Sequence, residues 1–163
     1  LTDFGCQYVL VGHSERRQNQ GETNAIVAQK AKRTQAAGLI PVVCVGEPSH
    51  IRSEGHATSY VRDQVLSSCE DLAKDLVIAY EPVWAIGSGE AASAQVASEM
   101  HLDIKAVLAD RYPELRVLYG GSVKPDNCAA FTMATGIDGL LVGGASLFAE
   151  SFWNICASAK GAE

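Results

Sequence analysis

Leu76-Val77-Ile78-Ala79-Tyr80-Glu81-Pro82-Val83-Trp84-Ala85-Ile86-Gly87-Ser88-Gly89 decides how the rest of the chain is read. Its first five residues form an apolar run of strand length that delivers one carboxylate, Glu81, to its C-terminal end. Pro82 pushes Glu81 toward extended backbone and disfavours the helical region. Gly87 and Gly89 leave the loop tip free to turn backbone N–H groups toward an anion. A base at the mouth of a sheet, beside a segment able to close over a small ligand, suits proton abstraction under a cover.

On either side of this stretch, short β-rich runs alternate with helical ones. Tyr8–Val11, Ile40–Val45, Leu76–Tyr80, Val117–Tyr119 and Gly139–Val142 read as strands. Between them, the spacing predicts helices from about Thr23 to Ala37 with Gly38 as the left-handed stop, and from about Thr58 along Val61, Val65, Cys69 and Leu72. A third starts after Ser93 along Val96, Met100, Ile104 and Val107, with Ser93 as N-cap. A short helix follows Asn127, and a last one covers roughly Ser151 to Lys160. Strands that are apolar on both faces need both faces covered, so the sheet is expected to be parallel with helical crossovers. The fold class is therefore α/β, with five parallel βα units and residues 1–163 as one domain.

The chain is acidic overall, with a formal net charge of −6. That argues against a broad nucleic-acid or anionic-membrane face, which needs a basic surface. An anionic ligand would have to be held by local devices such as backbone N–H groups. Cys6, Cys44, Cys69, Cys128 and Cys156 show no C-x-x-C pairing and no metal-ligand spacing with the histidines. They are read as reduced, mostly buried thiols of a cytosolic protein. No run approaches the ~20 apolar residues of a membrane span, and no signal peptide is visible.

The chemically interesting residues all fall just after strands. His13-Ser14-Glu15-Arg16-Arg17 follows the first, Glu47 the second, Glu81 the third, Ser122 the fourth and Gly143-Gly144 the fifth. In a parallel α/β fold these points share one end of the sheet, where ligands bind. Each alone has a plainer reading: an inert strand-end histidine, a carboxylate paired with an arginine, glycine pairs that mark turns. Their convergence favours a site. A helix starting near Ser14 would set its positive end beside His13 and disfavour the imidazolium, leaving a ring able to donate to a substrate oxygen. Gly120-Gly121 and Gly143-Gly144, near Gly87 and Ser122, read as a phosphate cradle. Arg16 and Arg17 are expected to pair with Glu15 or Glu47, and His50, His56 and His101 to be solvated. No metal site is expected.

These motifs resemble the triosephosphate isomerase family. Gly12 to Arg17, Cys44-Val45-Gly46-Glu47, Tyr80 to Gly89, Tyr119-Gly120-Gly121-Ser122-Val123 and Leu141 to Leu147 occur in that family's order and at compatible spacing. The resemblance implies a (β/α)8 TIM barrel, of which this chain is the fourth to eighth units. It also implies interconversion of dihydroxyacetone phosphate and glyceraldehyde 3-phosphate without a cofactor, in the cytoplasm, by a homodimer. Glu81 resembles the proton-transferring base and His13 the neutral electrophile, with Ser14 and Glu15 in support. Gly87, Ser122, Gly143 and Gly144 resemble the phosphate donors, Tyr119 the latch of the lid, and Ile86 and Leu141 apolar caps over the base. Ser88 and Glu90-Ala91-Ala92 depart from the usual lid. The family's first-strand lysine and asparagine have no counterpart here, since Lys30, Lys32 and Lys124 stand in other contexts. The barrel of this family runs to about 250 residues, so the 163-residue chain alone is expected to be an inactive fragment. The alternative is a non-catalytic remnant that binds phosphorylated ligands or partner chains.

Overall fold

The computed structural model describes residues 1–73, 75–86 and 91–160. Their strands are β1 (Tyr8–Val11), β2 (Ile40–Val45), β3 (Val77–Tyr80), β4 (Arg116–Tyr119) and β5 (Gly139–Leu140). They pair in parallel in the order β1-β2-β3-β4-β5, with Val11 opposite Val43, Val45 opposite Tyr80 and Tyr80 opposite Tyr119. The helices are α1 (Ser14–Gln20), α2 (Asn24–Ala36), α3 (Ser49–Ser53), α4 (Ala57–Ser68), α5 (Ala94–Leu108), α6 (Cys128–Thr132) and α7 (Ala149–Lys160). Because sequence order and spatial order coincide, the strand order never reverses, and helices α2, α4, α5, α6 and α7 pack neighbour to neighbour as an outer layer. The sheet does not close on itself: β1 and β5 each have one partner. This is the arrangement of part of a barrel.

Period-2 alternation sorts the strand residues between two faces. Val43, Val45, Ile78, Tyr80, Val117 and Tyr119 join Val27, Val61, Val65, Ala97, Ile104 and Leu108 of the helices in the main core. Their neighbours Val42, Cys44, Val77 and Ala79 make a smaller cluster on the inner face, with Leu118 and Leu141 against it. The inner face is thinly covered at β1, where Tyr8 is 43% and Leu10 48% exposed. A guanidinium nitrogen of Arg116 lies 3.4 Å from the Tyr8 hydroxyl. On a flat sheet, β1 and β4 would stand ~14 Å apart, so this contact records how strongly the sheet is rolled.

Two helix starts fall where the sequence puts them. Thr23 Oγ1 accepts from Ile26 N–H at 3.4 Å and Ser93 Oγ from Val96 N–H at 3.2 Å. Gly38, at φ 74°, ends the run after α2. The last strand is shorter than expected, two residues rather than four, and the chain leaves the ladder after Leu141 for the 3₁₀ turn Gly144–Leu147. Helix α3 and the turn Val83–Ala85 carry no helical period long enough to be seen in the sequence. Among the described residues, no helix is long and apolar enough to cross a membrane.

Ser93→Ala removes the α5 cap and is expected to lower the unfolding free energy of the full-length protein by about 1 kcal/mol, against a few tenths for Ser93→Gly. Denaturant titration with an unchanged slope is the check, and equal midpoints for Ser93→Ala and the parent would remove Ser93 from the cap.

Candidate active site

The strand ladder runs on past the strands themselves and fixes the backbone of the site. Glu81 N–H donates to Val45 O at 2.7 Å, Gly120 N–H to Tyr80 O at 2.8 Å and Leu141 N–H to Tyr119 O at 2.8 Å. Such close approach leaves no room for some side chains. A Cβ on Gly46 would overlap the Glu81 carbonyl oxygen, and one on Gly120 would come within 2.9 Å of Glu81 Cγ. Gly46 N–H in turn donates to the buried Gln64 Oε1 at 2.7 Å.

His13 is the residue at the N-terminus of α1, and its Nδ1 accepts the Glu15 N–H at 3.3 Å. A nitrogen that accepts cannot carry the proton, so the hydrogen of the neutral ring is assigned to Nε2. Nε2 lies 3.0 Å from Glu81 Oε1, and Ser14 N–H donates to Glu81 Oε2 at 3.2 Å. Both carboxylate oxygens are thus held from the first turn of α1, although the two residues lie on different strand ends. Glu81 is 3% exposed. Burial pushes its carboxyl above the ordinary carboxylate range, opposed by His13, the Ser14 N–H and Arg17.

A cleft of about 680 Å³ opens in front of this pair, lined by His13, Glu81, Ile86, Ser122, Leu141, Gly143 and Gly144 among others. Away from the His13–Glu81 pair, the N–H groups of Ser122, Gly143 and Gly144 donate to no acceptor among the described residues. The hydroxyl of Ser122 is turned aside and donates to Ala85 O at 2.6 Å, tying the loop after β4 to the one after β3. Tyr119 OH accepts Ala92 N–H at 3.2 Å, while its ring stacks on Phe131 at 4.1 Å. Gly87, the remaining phosphate-binding expectation, lies outside the described residues, as do Ser88 to Glu90. No group of three or more His, Cys, Asp or Glu among the described residues could hold a metal ion.

The chain matches the family described as triosephosphate isomerase over residues 1–159. It belongs to that family. It is 50% identical over 161 residues to the triosephosphate isomerase of Thermus thermophilus, which covers 93% of this chain and 64% of that protein. It is 49% identical over 163 residues to the triosephosphate isomerase of Polynucleobacter asymbioticus, covering 96% of this chain and 65% of that protein. The isomerase of Herminiimonas arsenicoxydans is likewise 49% identical, over 168 residues. The chain spans about two-thirds of the length of these curated relatives.

Several pairings differ from expectation. Arg16 pairs with Glu22, not with Glu15 or Glu47. Arg17 is half-buried and donates to Gly12 O at 2.7 Å, Asn24 Oδ1 at 2.8 Å and Cys44 O at 3.0 Å, so it binds the ends of β1 and β2 together. Backbone carbonyls carry no sequence signature, which is why this role is invisible beforehand. Glu47 is fully buried and accepts from Trp84 Nε1 at 2.8 Å, Arg52 Nη1 at 3.0 Å and Tyr80 OH at 3.1 Å. His50 and His56 are exposed, but His101 is completely buried between Tyr80 and Tyr119, and burial lowers its pKa to about 4.

Gly46→Ala forces the Glu81 backbone away from β2. We expect a loss of more than about 4 kcal/mol of stability, the range reserved for overpacking at a fixed backbone, read as a collapse of the melting temperature of the full-length protein. A variant that melts like the parent would mean that the two strand ends do not meet this closely.

Proposed function

We propose that the His13–Glu81 pair is the acid–base centre of a triosephosphate isomerase. On this reading the protein interconverts dihydroxyacetone phosphate and D-glyceraldehyde 3-phosphate; its relatives are named triosephosphate isomerase. One observation carries this reading. A buried carboxylate and an imidazole Nε2 meet 3.0 Å apart at one side of a cleft that also contains unused backbone N–H groups. Geometry of this kind fits a small substrate with a carbonyl at one end and an anion at the other.

In the mechanism so implied, the phosphate group lies against Ser122, Gly143 and Gly144, with Gly87 completing the cradle. The carbonyl oxygen approaches His13 Nε2. That nitrogen has a single hydrogen, so binding of the substrate oxygen replaces the His13–Glu81 bond and frees a carboxylate oxygen. Glu81 removes the proton from the carbon beside the carbonyl, and the negative charge moves to the oxygen held by His13 as an enediolate. The hydroxyl proton of the enediolate passes to the other oxygen, and return of the first proton from Glu81 to the neighbouring carbon completes the exchange of carbonyl and hydroxyl, with no net gain or loss of electrons or protons. Ile86 and Leu141 keep the base dry, which favours the proton transfer and hinders elimination of phosphate. Tyr119 holds Ala92, at the far end of the segment that would cover the site. No step calls on a cofactor. The protein acts in the cytoplasm, as a homodimer.

Two measurements on the full-length protein test this. Glu81→Asp withdraws the base by one methylene, and a displacement of about 1 Å costs roughly a hundredfold in turnover. The Ki of inorganic phosphate should stay within about threefold, since phosphate does not meet the base. Equal losses in both would contradict the assigned role, and phosphate binding with no isomerisation by the parent would identify a non-catalytic binder. The second concerns pH. Because burial raises the Glu81 pKa, its protonated, inactive form persists to higher pH. The acid limb of kcat/KM should therefore fall above the ordinary value of ~4.3 for a glutamate, and a limb at or below that value would show that Glu81 is not the titrating base.

A further inference from the structure

Glu81 has two sides. One belongs to the cleft, which it lines together with His13. The other belongs to a small space of about 10 Å³ at the ends of β1, β2 and β3, lined by Gly12, Ser14, Arg17, Cys44 and Gly46 among others. Among the described residues, Glu81 alone lines both. A space of that size holds no more than one water. Arg17, which does not line the cleft, therefore stands behind the base with almost no solvent between them.

Neutral groups fix the position of the Arg17 charge. Nε donates to Gly12 O and Nη1 to Asn24 Oδ1, while Nη2 donates to Cys44 O at 3.0 Å and, more weakly, to Ser68 Oγ at 3.5 Å. Gly12 makes room for the guanidinium, since a Cβ there would come within 2.9 Å of Nη2. Among the described residues, no carboxylate forms an ion pair with Arg17. Carbonyl and amide oxygens hold a guanidinium without cancelling its charge. Burial lowers the Arg17 pKa, but an arginine remains cationic at any working pH. Its charge acts on Glu81 through protein, where such interactions are far less screened than in water.

Other groups face this pair. On the cleft side, Lys124 shares the lining with Glu81, and His13 gives up its bond to Glu81 when the substrate oxygen arrives. The Ser14 N–H stays in place but carries no net charge. The Cys44 thiol of β2, beside Glu81, is kept protonated by burial. Tyr60 of α4 and Glu22 lie near Arg17, and Glu22 is already paired with Arg16 and Lys30. We infer that Arg17 is a positioning residue that acts through Glu81: fixed on the protein side of the base, its charge keeps the carboxylate free of a proton while substrate occupies the other side. The inference rests on the role proposed above for Glu81. Without that charge Glu81 is protonated more easily, so its titration moves to higher pH, and the acid limb of kcat/KM moves with it.

The test follows the Glu81 carboxyl directly, by NMR titration of the full-length protein carrying isotope-labelled glutamate, with Glu81→Gln identifying the signal. Comparing variants with the parent holds constant whatever else the full-length protein brings to the cleft, its family's first-strand lysine included. Two variants remove the charge by different routes. Arg17→Gln deletes it. Asn24→Asp keeps the side-chain shape and the bond to Nη1 but sets a carboxylate against the guanidinium, in the first turn of α2 where an acidic residue is favourable. We expect the Glu81 midpoint to rise by roughly one pH unit in each, and to return toward the parent's in Arg17→Lys. On the acid side of the parent's limb, kcat/KM for glyceraldehyde 3-phosphate then falls about tenfold. A merely structural role would lower the melting temperature and leave the midpoint where it was. If Arg17→Gln does not fold, Asn24→Asp decides, and an unmoved midpoint there overturns the inference. The isomerase assay separates the two proposals. A raised midpoint in a protein that does not isomerise would uphold the action of Arg17 on Glu81 and defeat the catalytic reading. An active isomerase with an unmoved midpoint would do the reverse.

Discussion

The hydrogen bonds that extend the parallel ladder one residue beyond β3, β4 and β5 determine where everything else in the site can be. Val45 O, Tyr80 O and Tyr119 O each accept from the first residue of the next loop, so Glu81, Gly120 and Leu141 inherit strand-like precision although they lie outside the strands. Loop residues normally lose this precision to conformational freedom. Here the sheet itself places Glu81, and a side chain on Gly46 or Gly120 would meet the Glu81 backbone or side chain. The electrostatics follow. Held inside the ladder, Glu81 is buried, its proton affinity rises, and the contacts that restrain it come from the N-terminal turn of α1.

How far this could be seen in the sequence depends on the physics of each element. Five strands were legible because each is a short apolar run followed by a glycine or by the Glu81-Pro82 pair. The site was legible because its members all follow strands, and parallel pairing turns that linear fact into a spatial one. The stripe of α5 was read in part, since Met100 and Ile104 are buried as expected. Val96 and Val107 are half-buried, whereas Ala97, His101, Ile104 and Leu108 form the innermost row. A histidine with no sequence cue to a partner looks like a surface residue, and only the packing of Tyr80 and Tyr119 around it shows otherwise. Arg17 was misread for a related reason, since its acceptors are carbonyls brought near by the fold and not by spacing.

The two faces of the sheet also divide the labour differently. Toward the helices, large residues such as Ile78, Tyr80 and Tyr119 build a core with α2, α4 and α5. Toward the inside, Val42, Cys44, Val77 and Ala79 are small, which lets the sheet roll tightly enough for Arg116 to approach Tyr8. The aromatic rings of the outer core reach functional groups from behind: Tyr80 holds Glu47, which holds Trp84, and Tyr119 holds Ala92. The segments that follow β2 and β3, and Ala92 before α5, are thus held from the core side of the sheet.

His13 and Glu81 follow β1 and β3, and the bare Gly46 follows β2 between them. Strands in a sheet repeat at ~4.8 Å, and two such steps separate the backbones that carry the pair. That interval is set by peptide hydrogen bonding and is the same whatever the side chains are. The sheet works as a ruler: side chains can change around it, but the spacing between the backbones of His13 and Glu81 is measured out by the strands.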